Sequence, residues 1–230
     1  MLAPAASATT PPPVPAEEPG PDCPLCERLV AFRLGTRAEH PDWFNAPVPT
    51  FGTRDARLLV VGLAPGLRGA NRTGRPFTGD FAGDLLYETL LAYGLATGHY
   101  GQSIDDGLQL VDCAITNAVR CVPPQNKPTP AEITTCRRFL AATIAAMPDL
   151  TTIVALGRIA HDSVVRALGH KLGELPFAHG REHVVMHAGR SLALIDSYHC
   201  SRYNTNTGVL TADMFRAVFA KACKRIGTRD

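Results

Sequence analysis

Short apolar runs alternate with segments of helical periodicity along most of this chain. Buried strands are predicted at 58–61, 110–119, 151–156, 184–186 and 191–197. Apolar residues recur at helical spacing in 27–35, 83–94, 130–147, 158–168 and 211–226. Strands that alternate with helices are typical of a largely parallel sheet covered on both faces, so the pattern predicts an α/β fold.

Polar loops follow three of the predicted strands, after Val61, Val119 and Ser197. If these strands are parallel neighbours, the loops meet at one edge of the sheet, where open α/β sheets bind ligands. The first loop, residues 62–80, is rich in Gly, Arg, Asn and Thr and ends at Asp80. The sequence therefore predicts a binding site at this edge.

Composition narrows the class of protein. The chain has 230 residues, 45% of them hydrophobic, which is enough for one α/β domain with a real core. The net charge of +2 does not by itself indicate nucleic-acid binding, which would need local basic loops. No apolar run is long enough to span a bilayer. Residues 1–21, rich in Pro and Ala, lack the features of a secretory signal, so we expect a disordered tail, one domain over 22–230 and a cytoplasmic location.

The cysteines indicate a metal site. Their number is seven, an odd count in a chain without an export signal, which argues against a disulfide framework. Cys23 and Cys26 form a C-x2-C pair, and 14 residues separate Cys121 from Cys136. Four thiolates suit zinc or an iron–sulfur cluster, and the spacing does not choose between them. The alternative is that Cys121 and Cys136 are small residues of the core.

Four longer motifs carry a family resemblance. They are GLAPGLRGANRTGRPFTGD at 62–80, NAVRCVPPQNKPTPAE at 117–132, ALGRIA at 155–160 and YHCSRYNTNTGVL at 198–210. With these motifs in this order, the chain resembles the family V uracil-DNA glycosylases from Cys23 onward. The resemblance implies a three-layer α/β/α sandwich around a largely parallel four-stranded sheet. It also implies a [4Fe–4S] cluster held by Cys23, Cys26, Cys121 and Cys136.

The activity implied by the resemblance is monofunctional base excision. Such an enzyme flips uracil out of DNA and hydrolyses its N-glycosidic bond, leaving an abasic site, with hypoxanthine and xanthine as further candidate bases. We expect a monomer that acts on DNA containing deaminated bases. One alternative is a non-catalytic iron–sulfur protein that binds nucleic acid on the same fold. A nucleotide-binding enzyme ranks lower, since the glycine-rich loop has neither G-x-G-x-x-G nor GK[ST].

Three residues are the catalytic candidates. Asp80 would orient water and stabilise positive charge on the sugar, although a helix cap is the alternative role. His199 would donate a hydrogen bond to uracil O2 as negative charge develops there. Cys200 replaces the proline that usually follows this histidine. Asn126 matches a position near the base and sugar and is predicted to support catalysis.

The predicted base pocket has an aromatic ring for stacking, an amide for base recognition and a floor formed by the loop after Val61. Phe77 would stack on the extruded base, although core packing is the alternative. The Asn117 amide suits the O4 and N3 edge of uracil. Family V often has a small residue at this position, so we expect stricter uracil preference. The floor of the pocket would be Gly62, Ala64 and Gly66.

Basic and polar residues of the same loops are predicted to contact the DNA backbone. They are Arg68, Arg72, Arg75, Arg120, Lys127, Ser201, Arg202 and Asn204. Arg202 or Tyr203 would also wedge into the gap left by the flipped base. Taken singly, each arginine or lysine is more typical of solvated surface.

Overall fold

A computed structural model describes residues 18–227 of the chain. The helices are α1 Glu27–Glu39, α2 Ala70–Thr73, α3 Phe81–Ala92, α4 Pro130–Ala145, α5 Arg158–Ala167, α6 Arg202–Asn206 and α7 Ala212–Ile226. The strands are β1 Phe51–Gly52, β2 Leu58–Gly62, β3 Ala96–Thr97, β4 Gln109–Leu110, β5 Cys113–Asn117, β6 Thr152–Leu156, β7 Glu182–His187 and β8 Arg190–Ser197. A 3-10 turn covers Pro124–Asn126. The predicted tail falls mostly on residues 1–17, outside the described range, and stays a prediction.

The main sheet has six strands in the order β1-β5-β2-β6-β8-β7. The four inner strands, β5, β2, β6 and β8, run parallel. The outer strands β1 and β7 pair antiparallel to the edges. The predicted α/β fold with four parallel strands is therefore confirmed, and the edge strands extend it.

Helices cover both faces of this sheet, and β2 shows how the layers form. Its side chains alternate between faces, as in any strand. Leu58 and Val60 pack in the cluster formed with α3 and α7, whereas Leu59 and Val61 pack in the cluster formed with α4 and α5. All five residues of β2 are buried. The result is the predicted three-layer sandwich.

Helix α4 begins where its sequence predicts. Thr129 accepts a hydrogen bond from the Glu132 backbone N–H, and the Glu132 carboxylate accepts one from Thr129 N, with Pro130 in the first turn. The same carboxylate accepts two hydrogen bonds from Arg28, at 2.8 and 2.7 Å. This pair fastens α1 to the start of α4.

The carboxyl ends of the four parallel strands lie at one edge of the sheet. The loops after β2 and β5 are direct neighbours, as predicted, whereas β6 separates β2 from β8. The segment after β6, which begins at Gly157, therefore joins the other loops at this edge. No helix within residues 18–227 is long and apolar enough to cross a membrane.

Candidate active site

Gly62 lies at the centre of the candidate site. It ends β2 and pairs in register with Asn117, the last residue of β5. A Cβ on Gly62 would lie 2.5 Å from Asn117 Oδ1 and 2.5 Å from Phe77 Cζ, closer than real Cβ contacts come. The absent side chain is thus what lets the buried amide and the aromatic ring meet over the strand end.

His199 faces this group from the end of β8. Its ring lies 6.0 Å from the Phe77 ring, centroid to centroid, with 26° between the planes. Burial lowers the pKa of His199 to about 4, so the imidazole is neutral near pH 7. A neutral imidazole keeps one N–H to donate. Its geometry therefore suits a hydrogen-bond donor to an acceptor placed beside Phe77.

Asp80 has two environments, one for each oxygen. Its Oδ1 accepts a hydrogen bond of 3.2 Å from Gly83 N and caps α3, so the predicted cap is confirmed. Its Oδ2 faces the 62–80 loop, where a Cβ on Gly69 would lie 2.6 Å from it and one on Gly66 3.1 Å. Burial raises the pKa of this carboxyl, although backbone N–H groups oppose the shift. The hydrogen bond from Gly83 thus uses Oδ1, while Oδ2 faces the loop.

Phe77 has a left-handed backbone, φ +55°, which is costly for an aromatic residue. Hydrogen bonds hold it there. Tyr100 OH donates to Phe77 O at 3.1 Å, and Tyr87 OH donates to Pro76 O at 2.6 Å. A Cβ on Gly83 would lie 1.7 Å from Phe77 O, which shows how closely α3 packs under this turn. These contacts fix the backbone of Phe77, and the backbone in turn sets the position of the Phe77 ring.

Arg75 belongs to this framework and not to the DNA contacts. Its guanidinium makes two hydrogen bonds to Asp106, at 2.9 and 2.7 Å, and Nε donates to Thr78 Oγ1 at 2.7 Å. It also lies within 6 Å of the Tyr87 and Tyr100 rings, at 5.4 and 5.8 Å. The side chain is buried. The structure does not support the prediction that Arg75 contacts DNA, because the guanidinium is buried and already paired with Asp106.

Arg120 is a second correction. Its side chain has 0% exposure and forms an ion pair with Glu18. It also donates to Thr50 Oγ1 at 2.9 Å and to Thr143 Oγ1 at 2.8 Å. The prediction that Arg120 contacts DNA is wrong, because the guanidinium points into the protein. Instead it ties residue 18 to the sheet.

Other predicted DNA contacts are on the surface. Arg68 and Arg72 are exposed on the 62–80 loop, where Arg72 Nε donates to Arg68 O at 3.0 Å. Lys127 is exposed after the 3-10 turn. Arg202 is exposed and lies over the Phe81 ring, 5.2 Å from its centroid. These four cations are free to meet phosphates, and their roles stay predictions.

The motif after β8 is more ordered than a polar loop. It contains helix α6, and Ser201 caps it by accepting from Asn204 N at 3.4 Å. Asn204 Nδ2 donates to His199 O at 2.8 Å, which fixes the histidine backbone. Cys200, in place of the expected proline, is fully buried with Sγ 3.4 Å from Ala82 O. Tyr203 is 73% exposed, as a wedge would require.

Asn126 does not join the other catalytic candidates. It lies on the 3-10 turn, exposed, with φ +57°. Within residues 18–227 its side chain makes no hydrogen bond, so the structure provides no contact with Asp80 or His199. Its catalytic role stays a prediction.

The four predicted ligand cysteines line one narrow cavity: Cys23, Cys26, Cys121 and Cys136. They come from the start of α1, the loop after β5 and the first turns of α4. Ala64, a predicted floor residue of the base pocket, packs against the same cluster of side chains. The cavity is therefore linked directly to the loop after β2.

The four cysteine sulfurs do not form a compact group of three or more in the structure. All four are free thiols, and no three of their sulfurs lie within 4.8 Å of one another. Burial raises the pKa of Cys121 to about 12 and that of Cys136 to about 11. Such thiols become thiolates only when a metal centre or another positive charge stabilises the ionised form.

Comparison with known proteins gives the family. The model of the uracil-DNA glycosylase superfamily matches residues 49–223. The chain belongs to this superfamily. It is 44% identical over 211 residues to a type-5 uracil-DNA glycosylase of Thermus thermophilus, covering 89% of this chain and 94% of that protein. It is 39% identical over 210 residues to a type-5 enzyme of Pyrobaculum aerophilum, covering 90% of each. A type-4 enzyme of Archaeoglobus fulgidus is 30% identical over 181 residues, 78% of this chain and 80% of that protein.

His199 also lines a groove at the same edge of the sheet. It is lined by Leu63, Gly157, Arg158, Ile159, Phe177 and Tyr198. The Arg158 guanidinium lies 5.0 Å from the Phe177 ring centroid. Phe177 was missed from the sequence because it lies in a connecting segment without periodicity or a motif.

A buried ion pair holds the Phe177 segment in place. His161 Nδ1 lies 2.7 Å from Asp196 Oδ1, and His161 Nε2 lies 2.8 Å from Leu175 O. Both partners are acceptors, so both ring nitrogens carry protons. Burial opposes this charge, but Asp196 raises the pKa of His161 above its ordinary value. His161, His183 and Asp196 form the one group of three potential metal ligands in the described part of the chain whose ligand atoms lie within 4.8 Å of one another. The hydrogen-bond partners of both His161 ring nitrogens account for this contact as a buried ion pair.

Proposed function

We propose that this protein is a type-5 uracil-DNA glycosylase that hydrolyses the N-glycosidic bond of uracil in DNA. One observation carries the proposal: Asn117, Phe77 and His199 meet around Gly62 at the edge where parallel strands end. The names of relatives at 39–44% identity over about nine-tenths of the chain support the same activity. The convergence of these groups argues against the binding-only alternative.

The base would be recognised by a ring and an amide. The target atom is inside the duplex, so the nucleotide is flipped into the pocket, where uracil stacks on Phe77. Asn117 then offers one donor and one acceptor to the O4 and N3 edge of the base. The amide is buried beside Gly62, so a base that leaves it unpaired loses affinity. This supports strict preference for uracil.

Cleavage of the N-glycosidic bond places negative charge on the base and positive charge on the sugar. His199 and Asp80 are the groups that would stabilise these two charges. As the N1–C1′ bond breaks, its electron pair moves onto the base, and neutral His199 donates a hydrogen bond to uracil O2. Positive charge develops on the deoxyribose, where the Asp80 carboxylate stabilises it. Water adds to C1′ and gives its proton to Asp80 or to solvent, and the released base takes up a proton. The raised pKa of Asp80 favours its action as a base.

We further propose that Cys23, Cys26, Cys121 and Cys136 hold a [4Fe–4S] cluster. Four thiolates on one zinc ion, with Zn–S bonds of about 2.3 Å, would lie about 3.8 Å apart. No three of the four sulfurs come within 4.8 Å of one another here, which favours a centre larger than one zinc ion. Its contribution would be structural, because it would join the start of α1 to the loop that follows β5 and to Ala64.

A base-release assay tests the proposed activity. Oligonucleotides containing uracil, hypoxanthine or xanthine are incubated with the parent protein and with His199→Ala, and the free base is measured by chromatography. We expect uracil release by the parent, strongly reduced release by the variant, and strand breakage only after alkali. Release of no base from any substrate would sink the enzymatic proposal.

Two further measurements test the finer points. Asn117→Ala should lose its preference for uracil over the other two bases, and an unchanged preference would defeat the amide argument. Iron analysis and absorbance near 400 nm test the cluster, whereas stoichiometric zinc without iron would contradict it. Size-exclusion chromatography tests the expected monomer.

A further inference from the structure

Arg33 is a buried cation with no carboxylate partner. It lies on α1, is 3% exposed, and donates from Nη2 to Cys23 O at 3.0 Å. Nη1 lies 3.7 Å from Cys121 Sγ. Its Nε is buried and has no hydrogen-bond partner in the described part of the chain. Among residues 18–227, no Asp or Glu forms an ion pair with it.

This isolation is unusual for the region. Two other arginines of α1 have acidic partners: Arg28 pairs with Glu132, and Arg37 pairs with Asp22. Arginine cannot escape the cost of burial by losing its proton. A buried charge without a counter-charge is strongly unfavourable, so the surroundings of Arg33 should contain a negative group. Asp22 lies close enough to interact with the Arg33 charge, but its carboxylate pairs with Arg37. The group in contact with the Arg33 guanidinium that can become anionic is the Cys121 thiol of the cavity.

We infer that Arg33 is the counter-charge for the thiolate-bound iron–sulfur centre. The inference rests on the proposed cluster and adds a residue to the four ligands. An iron–sulfur centre with four thiolate ligands carries net negative charge, and charge and hydrogen bonds to its sulfurs govern its properties. Arg33 supplies both, because Nη1 points at Cys121 Sγ while Nη2 holds the backbone of Cys23.

Two substitutions of Arg33 distinguish the effect of its charge from the effect of its planar shape. Arg33→Met keeps most of the packing and removes the charge, whereas Arg33→Lys keeps the charge and removes the planar fork. Arg166→Met is the control, since Arg166 is exposed on α5 and does not line the cysteine cavity. Each full-length variant is purified without oxygen, checked by circular dichroism and analysed for iron and absorbance near 400 nm. Loss of that absorbance is then followed in excess chelator.

We expect Arg33→Met to lose the chromophore on the order of 10- to 100-fold faster than the parent, the range usual for groups around metal ligands. Arg33→Lys and the Arg166 variant should stay close to the parent. A parent-like rate in Arg33→Met, or an equally fast loss in Arg33→Lys, would overturn the inference. If Arg33→Met does not fold, Arg33→Gln, which also removes the charge, takes its place with the same two outcomes. A parent protein without iron would refute the cluster itself, and base release is scored separately.

Discussion

Substitution of Gly62 by Ala tests whether the geometry of the pocket controls the chemistry. The added Cβ would lie 2.5 Å from both Asn117 Oδ1 and Phe77 Cζ, and ordinary contact begins at 3.4 Å, so each neighbour must move by about 0.9 Å. Neither can move freely. Asn117 is buried at the end of β5, and Phe77 is held by Tyr100 and by the start of α3.

A displacement of this size is expensive for catalysis. A misplacement of about 1 Å in a catalytic group costs on the order of 100-fold in rate, so we expect a similar loss in kcat/KM for uracil release. Overpacking should also lower the free energy of unfolding by about 1–3 kcal/mol. Single-turnover base release, measured where the variant is still folded, separates the two effects. Urea unfolding gives the stability.

Gly35→Ala is the control. Gly35 is exposed in α1, and nothing lies within 4 Å of a Cβ placed on it. Because Ala favours a helix over Gly by about 1 kcal/mol, this variant should be slightly more stable and fully active. Parent-like kcat/KM in Gly62→Ala would refute the reasoning, since the amide and ring would then not need their observed separation.

Three further outcomes are expected. Tyr100→Phe removes the hydrogen bond to Phe77 O and should weaken inhibition by free uracil. Tyr93→Phe is the control, because the Tyr93 hydroxyl makes no hydrogen bond within residues 18–227; equal inhibition constants for the two variants would contradict the positioning role of Tyr100. The pKa of His199 is about 4 in the folded protein, against 6.5 in the unfolded chain. The unfolded state therefore binds a proton first as the pH falls. The free energy of unfolding should decrease between pH 6.5 and pH 4. Urea midpoints that fall equally in parent and His199→Asn would contradict that shift. Arg68→Ala and Arg72→Ala should each reduce the slope of log affinity against log salt by about one, which titrations with DNA check, and an unchanged slope would exclude phosphate contact.

The strands and helices that depend on local sequence patterns were predicted correctly. Short apolar runs located the inner strands, helical spacing located the long helices, and Thr129 with Glu132 predicted the start of α4. The edge strand β1 was missed because it has only two residues, too few to show a period. Helix α6 was taken for a loop, since its polar residues show no apolar face and its start depends on the Ser201 cap.

The sequence motifs located residues that come together in the site. They did not show which of the arginines are buried. Phe77, Asn117 and His199 do converge. Arg75 and Arg120 look like surface cations in the sequence, but Asp106 and Glu18 neutralise them inside the fold. Those partners are distant along the chain, so no local pattern reveals them.

Asp80→Asn is the measurement that tests the central claim most directly. Asn caps helices about as well as Asp, so the substitution keeps the cap on α3 and removes only the carboxylate charge. The control is Asp84→Asn, one turn into the same helix and exposed, where its carboxylate accepts from Gln102. Single-turnover uracil release should fall by on the order of 100-fold or more in Asp80→Asn, with parent-like unfolding, and stay unchanged in Asp84→Asn. Parent-like release by a folded Asp80→Asn protein would contradict the account, because Asp80 would then be only a cap.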